Sequence, residues 1–242
     1  PVCPSVNEEF DARALSLEEV KQLRDDFIVA AIRSKKSGYH GVEIHGAHGY
    51  IIAQFLSAEI NKRTDEYGGS LENRARLLFE IVKETRIQCG SDFLLGVRLS
   101  PERYGMELSE VINVCEQLIA EENIDFLDIS LWDYEKMPEG DAYTTKRLLD
   151  YFTSLDTSKT KLTIAGKIRD GKDVLNVMNT EVDFVGIGCS GILHHNFPEL
   201  VMADPQFKSI RNPVSTAYLK GEGVGDKFIN YLAKRPNFVS KA

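Results

Sequence analysis

The sequence predicts an α/β fold built on a parallel sheet, and of the two sheet types that fit, a (β/α)8 TIM barrel over an open doubly wound sheet. Three observations carry this expectation. β-compatible runs alternate with helix-period apolar stripes along the chain, and parallel neighbours need a crossover connection, usually a helix. The residues with unusual chemistry, His45, His48, Arg98, Trp132, Lys167 and Cys189, fall at or just beyond the C-terminal ends of the expected strands. That is the functional face of a barrel, whereas an open sheet binds mainly at a single switch point. Finally, five strands can be found where a closed barrel needs eight, so the chain reads as truncated at its start to the last five βα units.

Each element has its own warrant. Ser16-Leu17-Glu18-Glu19 has the form of a capping box, and Val20, Leu23, Phe27 and Ala31 follow at helical spacing. Tyr39 to Ile44 is a short β-compatible run, and a helix begins near Ser70 with Leu71, Ala75, Leu78 and Val82 on one face. The alternation repeats: strand Phe93 to Leu99, helix Ser109 to Glu121, strand Ile124 to Ser130, helix Lys146 to Leu155, strand Leu162 to Ala165. Asp170 can cap the helix carrying Val174, Val177 and Met178, and Val182 to Ile187 is the last expected strand. Residues 1–13 carry turn formers and no strand pattern. The expected organisation is therefore one partial barrel domain over residues 1–242: an entry loop (1–15), the βα units (16–210) and a tail (211–242) that turns helical around Phe228 to Leu232.

Composition bounds the function. Of the 242 residues, 43% are apolar and 27% charged, which is ordinary for a folded globular chain. A formal charge of −8 argues against a nucleic-acid binder, which needs a concentrated basic footprint. Neither a membrane span nor the charged-then-apolar order of a signal peptide can be read, so the expected location is cytoplasmic. Cys3, Cys89, Cys115 and Cys189 are scattered without a C-x-x-C pair, which leaves no zinc, iron–sulfur or dithiol motif.

The segment His45-Gly46-Ala47-His48-Gly49-Tyr50 follows a strand and is rich in glycine. Two imidazoles three positions apart could ligate a metal, donate hydrogen bonds to one substrate oxygen with Tyr50 as proton donor, or simply be satisfied core residues. Gly186-Ile187-Gly188-Cys189-Ser190-Gly191 matches G-x-G-x-x-G after a strand. A dinucleotide-binding reading fails because no second strand follows Leu193 to complete a βαβ unit.

The run GVEIHGAHGYIIAQFLSAEINKRTDEYGGSLENRARLLFEIV, followed by GVRLSP, resembles the signature of the Old Yellow Enzyme family of flavin oxidoreductases. The likeness continues through LDISLWDY, LTIAGKIRDG, DFVGIGCSGIL and FINYLAKRPNFV, essentially the whole chain. It implies a (β/α)8 barrel with bound FMN, and it makes the His45 segment the fourth strand, which agrees with three missing strands. It also implies that His45 and His48 hydrogen-bond the carbonyl oxygen of an activated alkene while Tyr50 protonates the α-carbon, with hydride coming from the reduced flavin and NADH or NADPH as reductant. Arg98 would sit at the pyrimidine edge of FMN, and Gly166, Lys167, Ile187, Gly188 and Cys189 would form the phosphate site; Trp132 falls where the barrel mouth is expected and could line the substrate pocket or merely close it. The family usually carries Arg where this chain has Cys189, so Lys167 or Arg169 is expected to supply that charge.

The function expected is FMN-dependent, NAD(P)H-driven reduction of the activated C=C bond of an α,β-unsaturated carbonyl compound. The alternatives are an inactive barrel fragment without flavin or a metal-dependent hydrolase at His45 and His48. The expected partners are a small electrophilic alkene and either a missing N-terminal barrel segment or a second copy of the chain.

Overall fold

Capping and apolar periodicity place the elements where the chain can satisfy them. The computed structural model describes residues 1–140, 143 and 145–240, so the last two residues of the expected tail lie outside the described residues. Within the expected entry loop, β1 (Val2–Cys3) pairs in parallel with β2 (Arg13–Ala14). This corrects the reading of residues 1–13 as strandless: two-residue strands are too short to show a period in sequence. Helix α1 (Leu17–Lys36) has the predicted capping box, with Ser16 Oγ accepting from the Glu19 amide and the Glu19 carboxylate accepting from the Ser16 amide.

The main sheet begins with β3 (Gly41–Gly46), two residues later than the β-compatible run, followed by the six-residue α2 (Ile51–Leu56). The sequence pattern does not reveal α2, because fewer than two turns cannot establish a helical stripe. Then come α3 (Leu71–Cys89), capped by Ser70, β4 (Leu94–Leu99), α4 (Leu108–Ala120), β5 (Phe126–Ser130) and α5 (Leu148–Phe152). They are followed by β6 (Lys161–Ala165), α6 (Gly171–Met178) and β7 (Phe184–Gly186). Strands β3 to β7 form one parallel sheet in chain order. Strand order never reverses, so no doubly wound switch point exists in this sheet. The sheet is a run of consecutive barrel strands, part of a (β/α)8 barrel.

Register and alternation divide the sheet into two chemically distinct faces. Ile44, Val97, Leu127 and Leu162 lie side by side, at most 4% exposed, and pack against the helices in the principal core. The opposite face carries His45, Arg98, Asp128 and Thr163 in the adjacent row. Beyond the sheet, α7 (Cys189–Leu193) and α8 (Phe197–Ala203) lead to α9 (Thr216–Gly221) and α10 (Asp226–Leu232). Leu193 packs with Val214, Leu219, Ile229, Leu232 and Phe238 in a second core, which docks the tail on α7.

The ends of α2, α3 and α4 meet at Arg74, whose side chain is 4% exposed. Its guanidinium donates to the Leu56 and Gly69 carbonyls and to both carboxylate oxygens of Glu110. Removing one member of a buried charge network leaves its partners desolvated and unpaired. Arg74→Leu is expected to lower unfolding stability by about 3 kcal/mol, measured as a shift of the urea midpoint at unchanged slope.

Candidate active site

The candidate site is built at the C-terminal ends of the strands. His45 is the penultimate residue of β3, directly opposite Arg98 of β4, which is opposite Asp128 of β5. Past the strand the chain turns sharply: His48 and Gly49 take φ of 59° and 72°. Glycine adopts this region freely, and a Cβ on Gly49 would also lie 2.9 Å from the Tyr104 ring. His48 pays for the same conformation and needs compensating contacts. Its amide donates to Ser100 Oγ at 2.9 Å, and its Nε2 lies 2.7 Å from Ser130 Oγ. The turn delivers Tyr50 as the extended N-cap of α2, 63% exposed.

Sequence neighbours become ring neighbours in this turn. The His45 and His48 rings are 5.2 Å apart, and the His45 and Tyr50 rings 5.3 Å apart. Burial, and then the Arg98 charge, hold the His45 pKa below the ordinary imidazole value. His48 is lowered by burial, by Arg98 and by His45. Both rings are therefore neutral at neutral pH, and a neutral imidazole can donate one hydrogen bond without carrying charge.

Arg98 Nε lies 3.2 Å from Asp128 Oδ2, and its Nη2 donates to Ser130 Oγ at 3.3 Å. Burial pushes the Asp128 carboxyl up to about 7; Arg98 opposes this and Glu43 adds to it. Asp128 is consequently poised between its charged and neutral forms near neutrality, which leaves the positive charge of Arg98 only partly compensated.

Trp132 sits just beyond β5 with φ of 67° and is 58% exposed, with the Arg103 guanidinium 5.1 Å over its ring. Arg103 is held in turn by Glu139 at 2.6 Å, and Lys136 binds both Glu102 and Glu139. This charge network ties together the loops after β4 and β5. A small pocket between them is lined by His48, Ser130, Trp132, Arg103 and Lys136.

The remaining expected residues form a second group along the same rim, after β6 and β7. Gly166 permits close approach of two loops, since a Cβ there would lie 3.0 Å from the Asp133 amide nitrogen. Lys167, with φ of 48°, pairs with Asp133 at 2.8 Å. Against the burial that would raise it, this contact holds the Asp133 carboxyl below its ordinary value. Ile187 packs on the principal core, and Gly188 caps the start of α7. Cys189 opens α7 half-buried against the tail core. Among the described residues no strand follows β7 in the sheet, so the G-x-G-x-x-G segment has no βαβ unit around it.

Ser100, Ser130 and Asp128 escape the sequence reading although they hold the site together. A signal for two of them was present: Asp128 and Ser130 alternate along β5, which places both on the face of Arg98. Ser100 lies just past the end of β4, so strand alternation does not place it, although it falls within the GVRLSP run.

Residues 3–204 match the sequence profile of the NADH:flavin oxidoreductase / NADH oxidase family. A probable NADH-dependent flavin oxidoreductase from Bacillus subtilis is 35% identical over 184 residues, covering 73% of this chain and 49% of its own length. A 12-oxophytodienoate reductase from Arabidopsis thaliana is 49% identical over 89 residues, covering 37% of this chain and 24% of its own. The solved structure of an old yellow enzyme homologue from Zymomonas mobilis superposes with a TM-score of 0.70 at 26% identity, over 90% of this chain and 64% of that one. The chain spans about half the length of its Bacillus relative.

Because Arg98 contributes to the lowered values of both imidazoles, Arg98→Gln is expected to raise both histidines toward the ordinary value of about 6.5. A histidine lowered on folding binds fewer protons in the folded state, so the stability it confers is lost as pH falls below that ordinary value. The substitution should reduce this acid sensitivity. An NMR pH titration of the two rings, paired with urea midpoints across the same range, checks both parts.

Proposed function

The chain belongs to the NADH:flavin oxidoreductase / NADH oxidase family, the Old Yellow Enzyme family, and from that premise we propose that it carries the substrate-activating half of an FMN-dependent, NAD(P)H-driven reduction of α,β-unsaturated carbonyl compounds. The observation that carries the proposal is the packing of two imidazoles held neutral, His45 and His48, beside the exposed phenol of Tyr50 on one rim.

In this reading His45 and His48 both donate to the carbonyl oxygen of the substrate and stabilise the enolate-like charge that develops there. Tyr50, whose ring lies against His45, delivers a proton to the α-carbon. Reduced FMN, when bound, supplies hydride to the β-carbon, and NADH or NADPH restores it. Together the hydride and proton saturate the C=C bond, leaving the carbonyl intact. Trp132 and the Arg103 stacked on it bound the substrate side of the pocket.

The donor set supports FMN at its ring end. Arg98 Nε, though near Asp128, makes no well-aligned hydrogen bond, and buried Thr163 Oγ1 on the same face also lacks a partner among the described residues. Such donors suit the acceptor-rich pyrimidine edge of a flavin. At the phosphate end the backbone of Gly166, Lys167, Ile187 and Gly188 would hold the group. Cys189 brings no charge there, and the Lys167 ammonium is already paired with Asp133. Exposed Arg169, whose guanidinium has no ion-pair partner among the described residues, is the better candidate for the phosphate cation. The same two observations favour a second reading, in which the chain retains flavin poorly; a colourless preparation that fails to quench added FMN fluorescence would support it.

Tyr50→Phe is expected to lower enone turnover roughly 10²–10⁴-fold while leaving NAD(P)H-dependent flavin reduction unchanged, both followed by stopped-flow absorbance. Wild-type enone turnover in both Tyr50→Phe and His48→Ala would remove the proposal. In FMN titrations, Arg169→Ala should raise the dissociation constant more than Lys167→Ala does.

A further inference from the structure

His48 presents two ring nitrogens, and only one of them can be the donor in its neutral form. Its Nε2 lies 2.7 Å from Ser130 Oγ. The same hydroxyl oxygen accepts from Arg98 Nη2 at 3.3 Å. A guanidinium only donates, so the Arg98 contact uses a lone pair of Ser130 and leaves its hydroxyl proton free. Among the described residues the only acceptor in contact with that hydroxyl is His48 Nε2. From this count of donors and acceptors we propose that Ser130 is a positioning residue that locks His48 in the Nδ1–H tautomer, with Arg98 orienting the Ser130 hydroxyl.

The consequence bears on the site. Nε2 is an acceptor committed to Ser130, so Nδ1–H is the donor left to His48, and among the described residues Nδ1 makes no hydrogen bond. The left-handed backbone at His48 and its bond from the amide to Ser100 Oγ fix the other end of the side chain. Serines at the ends of two successive strands therefore hold His48, one setting the backbone and the other the protonated nitrogen. The relay also joins the His48 ring to Arg98 through a single hydroxyl, so both would be disturbed by loss of one small side chain. Only the use of Nδ1–H on a substrate carbonyl rests on the enone-reductase reading; the tautomer itself does not.

The test reads the tautomer directly in the 15N-labelled full chain without added flavin, so its outcome is separable from that of any activity assay. A long-range 1H–15N correlation spectrum at about pH 8, above the ordinary imidazole value, identifies the protonated nitrogen of each ring, and His48→Gln assigns the His48 signals. The wild type is expected to show Nδ1 protonated and Nε2 bare, and Ser130→Thr, which keeps the hydroxyl, should match it. Ser130→Ala should show Nε2–H appearing, with the other four histidines unmoved. A wild-type spectrum with Nε2 protonated would overturn the proposal, as would a Ser130→Ala spectrum identical to wild type.

Discussion

Parallel strands in register, with side chains alternating between faces, are the constraint on which the rest of this structure depends. Because β3, β4 and β5 pair without a slip, His45, Arg98 and Asp128 fall in one row, and Ile44, Val97 and Leu127 fall in the row behind it. A one-residue slip would send the polar row into the helix-facing core and the aliphatic row to the functional face. The apolar row makes such a slip costly, since each fully buried aliphatic side chain contributes on the order of 2 kcal/mol. The hydrophobic effect on one face thus secures the geometry of the chemistry on the other.

On that scaffold the site is tuned mainly by burial and by a single fixed charge. Burial, and then Arg98, lower the affinity of both imidazoles for protons, and burial raises that of Asp128. The three effects are coupled through short contacts: a carboxyl that ionised fully would neutralise Arg98 and weaken its hold on the histidines. The loops above the strands are fastened separately. Lys136, Glu102, Glu139 and Arg103 bind the β4 and β5 loops to each other, and Lys167 binds the loop after β6 to Asp133 in the loop after β5.

The pairing of Lys167 with Asp133 also shows why charge at a phosphate site cannot be assigned from sequence position alone. Both Lys167 and Arg169 stand in the loop after β6, and either could serve. Lys167 and the carboxylate that engages it are 34 positions apart, and no local pattern announces that contact. A longer separation hid Ser130 from His48: the two are 82 positions apart, yet they share a hydrogen bond.

The sequence by itself determined what short-range rules govern. The Ser16 capping box, the five main strands, the longer helices between them, the glycine-rich turn after β3 and the placement of His45, His48 and Tyr50 are all legible in local spacing, whereas the six-residue α2 is not. Family membership could be read in the long run around His45. Tertiary structure alone decided the protonation states of the histidines, the engagement of Lys167, and the roles of Ser100, Ser130 and Asp128. The physical reason is range: capping and periodicity act over a few residues and leave a pattern in the chain. Burial, fixed charge and cross-strand hydrogen bonds act between groups that only the closed register brings together.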